Sequence, residues 1–128
     1  MPAQPLISIV DDDQLMRDSM RQLVKSFGFA VATFPSATAF LTSPDLDETA
    51  CLIADVQMPG MTGIDLQDKL IADGHYKPII FMSALSAEEA GARVMDTEVF
   101  GFLRKPFSDE RLIDCLDRAL KCVDAKHP

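Results

Sequence analysis

Apolar residues switch repeatedly, along the whole chain, between strand-sized runs and stripes of helical period. Leu6-Ile7-Ser8-Ile9-Val10 is short and β-branched, and reads as a first strand. Met16, Met20, Leu23, Val24 and Phe27 then recur with the spacing of one helix face, with Asp13 placed to cap its start and Gly28 to end it. Ala30 to Phe34 reads as a second strand, after which Ser36 caps a short helix through Leu41. The polar stretch around Pro44 and from Asp45 to Thr49 reads as a loop. Cys51-Leu52-Ile53-Ala54 is a buried third strand that runs directly into Asp55. After a Pro59-Gly60 turn, a third helix is expected over Gly63 to Ala72, stopping at Gly74. Pro78-Ile79-Ile80-Phe81-Met82 reads as a fourth strand, Ala87 to Asp96 as a weaker fourth helix, and Phe100-Gly101-Phe102-Leu103 as a fifth strand. Ser108 caps the last helix, which carries Asp109 and Glu110 where the dipole favours negative charge. Leu112, Ile113, Leu116, Ala119, Leu120 and Val123 form its apolar face.

Five strands, each followed by a helix, predict an α/β fold with a parallel sheet covered on both faces and right-handed crossovers. At 128 residues, 48% of them hydrophobic, the chain suits a single domain over residues 1–128 with no second, output domain. Met1 to Pro5 lacks the basic and apolar stretches of a signal peptide, and the apolar runs fall far short of the ~20 residues of a membrane span. Cys51, Cys115 and Cys122 are an odd set without a C-x-x-C pair, which reads as reduced thiols in a cytoplasmic protein. A net charge of −8 repels phosphate backbones, so no nucleic acid is expected to bind this domain alone, and no membrane either.

Ligands of open parallel sheets bind beyond the carboxyl ends of the strands. Those ends carry Asp11-Asp12-Asp13, Asp55, Ser83 and Arg104-Lys105-Pro106. Taken alone, Asp11 and Asp12 read equally well as a solvated turn, Asp13 as a helix cap and Lys105 as a surface lysine. Taken together, carboxylates crowded at one rim repel one another unless a cation sits among them. Mg²⁺ suits such a set, because it takes oxygen ligands and keeps waters for phosphate oxygens. A carboxylate can then act as a nucleophile towards phosphorus, with the metal and a lysine neutralising charge and a hydroxyl donating to a phosphoryl oxygen.

Four blocks, Val10-Asp11-Asp12-Asp13, Asp55-Val56-Gln57-Met58-Pro59-Gly60-Met61-Thr62-Gly63, Met82-Ser83-Ala84 and Lys105-Pro106-Phe107, resemble the motifs of response regulator receiver domains. The resemblance covers the chain from about Leu6 to Ala125, and its wording is similar to the receivers of FixJ-type regulators. It implies the flavodoxin-like (βα)5 fold, with strand order 2-1-3-4-5. It implies Asp55 as phosphoacceptor, supplied by the phosphohistidine of a histidine kinase or by acetyl phosphate. Asp12, Asp55 and the backbone carbonyl of Gln57 would ligate Mg²⁺ (or Mn²⁺), and Asp11 would hold a metal-bound water. Lys105 would pair with Asp55 or its phosphate, Ser83 would be the switch hydroxyl, and Ala84 its small neighbour. Phe102 would be the switch aromatic, and the Lys105–Pro106 bond is expected to be cis.

Phosphorylation would draw Ser83 inward, let Phe102 rotate, and reshape the face of the fourth helix, fifth strand and last helix, where a partner or a second copy would bind. The family's Ala-Gly-Ala turn before the fifth strand is replaced here by Met95-Asp96-Thr97-Glu98-Val99. This implies either a different helix end or Glu98 in a glycine conformation. Two other functions compete. A haloacid-dehalogenase-type phosphatase would need D-x-D-x-[TV] after the first strand, and Asp11-Asp12-Asp13-Gln14-Leu15 fails at the last position. A phosphorylation-independent binding module on the same fold usually lacks an acid or the lysine, and all are present.

Overall fold

The computed structural model describes residues 5–75, 77–83, 99–105 and 107–126. The fourth helix expected over Ala87–Asp96, with Ala84, Pro106, the peptide bond to it and Glu98, lies outside them. Strands β1 (Leu6–Val10), β2 (Ala30–Phe34), β3 (Thr49–Asp55), β4 (Ile79–Ser83) and β5 (Val99–Arg104) form one sheet in the order β2-β1-β3-β4-β5, with every neighbouring pair parallel. Helices α1 (Gln14–Ser26), α2 (Ala37–Leu41), α3 (Gly63–Ala72) and α4 (Asp109–Lys126) accompany it. None of these is long and apolar enough to cross a membrane.

Side chains of a strand alternate between faces, and here the alternation builds two cores. Ile7 and Ile9, Cys51 and Ile53, and Ile80 and Met82 point to one side, against Met20 and Val24 of α1 and Leu112, Leu116 and Ala119 of α4. Val10, Leu52, Ala54, Ile79 and Phe81 point to the other, against Phe40 of α2 and Leu66 and Leu70 of α3. The inner strands are thus buried on both faces, which explains why they read as continuous apolar runs. Cys51 and Cys115 are buried free thiols in the first of these cores. Burial, helped by the neighbouring Cys115, pushes the Cys51 thiol far above its ordinary pKa.

The helix starts follow local chemistry. Asp13 accepts from the backbone N–H of Leu15 and Met16, Ser36 from that of Ala39, and Ser108 from that of Arg111. Thr62 and Asp65 close a reciprocal capping box on α3. Gly28 follows the end of α1 at φ +95°, a conformation open to glycine and costly for other residues.

Several segments depart from the sequence reading, and β5 runs one residue further at each end than Phe100–Leu103. Pro44–Leu46, read as loop, is a 3₁₀ turn whose Leu46 is buried and whose start Ser43 caps through the N–H of Asp45. Strand β3 begins at Thr49, not Cys51, because Thr49 pairs with Leu6 across a bulge that shifts the register before Ile7. The hydroxyls of Ser8 and Thr49 meet at 2.6 Å, satisfying two buried polar groups together. Strand β4 begins at Ile79, since Pro78 has no N–H for the ladder, although its carbonyl accepts from Leu52 at 3.0 Å.

Candidate functional site

Parallel pairing brings the ends of β1, β3, β4 and β5 to one edge of the sheet. Residues at or one step past those strand ends therefore meet, although up to 94 positions separate them in sequence. Asp11 follows β1 and is fully buried, Asp55 ends β3 and is nearly so, Ser83 ends β4 and is fully buried, and Lys105 follows β5. Asp12 is exposed at the rim.

The Lys105 ammonium lies 2.7 Å from Asp55 Oδ2 and 3.4 Å from Asp11 Oδ2. Its backbone N–H donates to the Ser83 carbonyl at 2.7 Å, so main chain and side chain fix the same residue. The other oxygen of Asp55, Oδ1, accepts from the N–H of Gln57 at 2.8 Å. Asp11 Oδ1 accepts from the N–H of Asp13 at 2.9 Å. Burial raises the Asp11 pKa, aided by the charge of Asp55, against the opposing pull of the Asp13 N–H and Lys105. For Lys105, burial disfavours the charged form, but the hydrogen bond to Asp55 and attraction to Asp11 and Asp55 outweigh it, and its pKa rises.

Ligand oxygens of Asp11, Asp12 and Asp55 all lie within 4.8 Å of one another. A donor set of carboxylates alone, two buried and one open to water, matches the hard oxygen coordination of a small divalent cation. Crowded carboxylates of this kind also need positive charge, and Lys105 supplies only one unit.

Two residues of the pocket carry roles that sequence reasoning did not identify. Gly63, at the start of α3, packs on the backbone of the β3 end: a Cβ built on it would stand 2.6 Å from the Asp55 carbonyl oxygen and 3.2 Å from Val56 Cα. Its N–H donates to the Val56 carbonyl at 3.2 Å. Arg17, on α1, reaches back so that Nη1 donates to the Asp11 carbonyl at 2.7 Å. A cation in the opening turns of a helix was the available signal for it. Met58 is buried and Met61 half-buried against the core under the loop. Phe102 is half-buried against the same core, on the face opposite Leu103.

Sheet order and pocket together define a doubly wound α/β domain with an acidic, lysine-bearing site at the topological switch point beside β1 and β3. The chain belongs to the response regulator receiver domain family, whose model matches residues 7–117. It is 39% identical over 92% of its length to the response regulator protein TmoT of Ectopseudomonas mendocina. It is 36% identical over 90% of its length to the transcriptional regulatory protein FixJ of Bradyrhizobium diazoefficiens. The chain spans about half the length of these curated relatives, 54% of TmoT and 56% of FixJ. Among solved structures, the response regulator StyR superposes with a TM-score of 0.88 at 36% identity, over 97% of this chain and 63% of that one. The FixJ-N structure superposes at 0.83 with 28% identity, over 94% and 96% of the two chains. It is therefore a signalling domain of two-component systems rather than an enzyme of the ordinary kind.

Proposed function

We propose that this domain is a cytoplasmic phosphorylation switch: Asp55 accepts a phosphoryl group from the phosphohistidine of a histidine kinase, or from a small donor such as acetyl phosphate. One observation carries this reading above the others. Lys105 and the carboxylates of Asp11, Asp12 and Asp55 converge in one pocket, with the Lys105 ammonium 2.7 Å from Asp55. In this reading Asp12, Asp55 and the Gln57 carbonyl hold Mg²⁺ (or Mn²⁺), and Asp11 holds one of its waters.

Bound there, the metal would neutralise charge on the carboxylates and on the transferring group. An oxygen of Asp55 forms the new bond to phosphorus as the P–N bond of phosphohistidine, or the P–O bond of acetyl phosphate, breaks. The leaving imidazole or acetate takes the electron pair. The Gln57 N–H holds Asp55 Oδ1, which leaves the orientation of the carboxylate defined before the donor arrives. Lys105, already bound to Oδ2, moves to the phosphoryl oxygens once they form.

Ser83 then donates to a phosphoryl oxygen, and Ala84 leaves room for it. Phe102, half-buried on β5, turns into the space Ser83 vacates and alters the face around β5 and α4, to which a partner or a second copy binds. The phosphate acts only through its different affinity for the two arrangements of that face.

The test is incubation with acetyl phosphate and Mg²⁺, read by intact mass. A gain of one phosphoryl group that Asp55→Asn abolishes is the expected result. No gain would make the domain a phosphorylation-independent binding module. Many phosphates released per chain would make it a phosphatase instead.

A further inference from the structure

Arg17 stands beside the acidic pocket with no part in the chemistry above. Its backbone N–H donates to the carbonyl of the cap residue Asp13 at 3.0 Å, which places it in the opening turns of α1. A cation there opposes the helix dipole, whose positive end favours negative charge, and α1 has no acidic residue in its first turn to offset it. Helical side chains lean back over the preceding turn, and this carries the guanidinium to the end of β1. There Nη1 donates to the Asp11 carbonyl at 2.7 Å.

That carbonyl lies one residue past the last β1 pair, Val10 with Phe34 and Ala54, so no strand partner is due to it. The Asp11 N–H is still held by the Phe34 carbonyl at 3.1 Å. Asp11 is thus gripped from β2 through its N–H, from α1 through its carbonyl, and by the Asp13 N–H through its carboxylate. Among the described residues Arg17 forms no ion pair, so it holds the backbone without occupying any carboxylate oxygen of the cluster.

We propose that Arg17 is a positioning residue: it clamps the Asp11–Asp12 peptide so that both carboxylates face Asp55 and the cation site is assembled before the cation arrives. The proposal rests on the reading of this pocket as a Mg²⁺ site. A positive charge that merely sat nearby would repel Mg²⁺, and removing it would tighten binding. A clamp has the opposite sign, since removing it frees the peptide and loosens binding.

Arg17→Met keeps the apolar stem and deletes both charge and donors, while Arg17→Lys keeps the charge and loses the planar fork. Mg²⁺ titrations followed by amide chemical shifts should show the dissociation constant rising about fivefold in Arg17→Met, equivalent to about 1 kcal/mol. Arg17→Lys should fall between that variant and the wild type. In metal-free protein, hydrogen exchange at the Asp13 amide should quicken in Arg17→Met, because Asp11 no longer holds its carboxylate in place. Unchanged or tighter Mg²⁺ binding in Arg17→Met, with Asp13 exchange as in the wild type, would overturn the clamp. Should Arg17→Met fail to fold, Arg17→Lys decides by the same two readings. A wild-type protein that binds no Mg²⁺, or binds it equally after Asp12→Ala, would instead sink the metal reading, and the metal-free Asp13 measurement would still decide the clamp.

Discussion

Replacing Gly63 by alanine tests how tightly the start of α3 is pressed on the end of β3. The new Cβ would lie 2.6 Å from the Asp55 carbonyl oxygen, about 0.7 Å inside ordinary close C···O contacts. The atoms it meets are backbone of Asp55 and Val56, which have no rotamer to change, so the helix and the strand end must move apart. Overpacking of this kind costs about 1–3 kcal/mol. Alanine's better helix propensity returns at most about 1 kcal/mol. With that return in full the net loss is still up to about 2 kcal/mol, a fall in Tm of about 4 °C for each kcal/mol in a domain of this size.

The helix cannot take up the whole displacement, and the backbone pressed upon is the stretch between the Asp55 carboxylate and the Gln57 amide, so phosphorylation by acetyl phosphate should slow by more than stability alone explains. Misplacement of about 1 Å can cost about 100-fold. Thr62→Ala is the control: it breaks the capping box of the same helix for about 1 kcal/mol while leaving Asp55 in place. The experiment pairs urea denaturation with phosphorylation rates read by mass. Similar stability losses with slow phosphorylation only in Gly63→Ala are expected. A Gly63→Ala protein as stable as the wild type, phosphorylated at the same rate, would refute the steric argument.

Asp12→Asn removes one of three mutually repelling acids, so the metal-free protein should melt higher, while the rise in Tm on adding millimolar Mg²⁺ should vanish; a lower metal-free Tm would contradict this. Lys105 has a folded pKa raised above 10.5, so its contribution is complete below pH 10.5 and is lost as pH climbs through the raised value. Urea denaturation of Lys105→Met across that range should lose this part of the alkaline decline, and an unaltered profile would count against it. Gln67 Oε1 is buried without a hydrogen-bond partner among the described residues, so Gln67→Met should raise stability by about 1 kcal/mol in the same assay. Cys51, fully buried with its thiol pKa far above neutral, should resist iodoacetamide in the native protein and react only after denaturation; prompt labelling would show the site is open.

What could be read from the chain in advance was whatever depends on neighbours in sequence. Asp13, Ser36 and Ser108 stand at helix starts because a short polar side chain caps the N–H groups just after it. The short, continuous apolar runs of β1, β3 and β4 marked strands, and the acids and lysine at the strand ends marked the pocket. Strand order came through family resemblance, since apolar runs alone do not say which strands are neighbours. The bulge between Leu6 and Ile7, the early start of β3 at Thr49 and the 3₁₀ turn at Pro44 depend on register and on what Leu46 finds to bury against. Arg17 and Gly63 escaped for the same reason. Each acts on backbone atoms of a different element, and neither the carbonyl of Asp11 nor that of Asp55 has a letter in the sequence.

Strand β4 lodges Ile79 and Phe81 in one apolar layer and Ile80 and Met82 in the other. Any slide or roll of that strand would open voids on both sides at once, and close-packed interiors resist that. A chemical event at its carboxyl end is thus met by an almost immovable floor. Whatever changes shape must do so above it, in loops and single side chains, so the sheet serves as the fixed reference against which the signal is made.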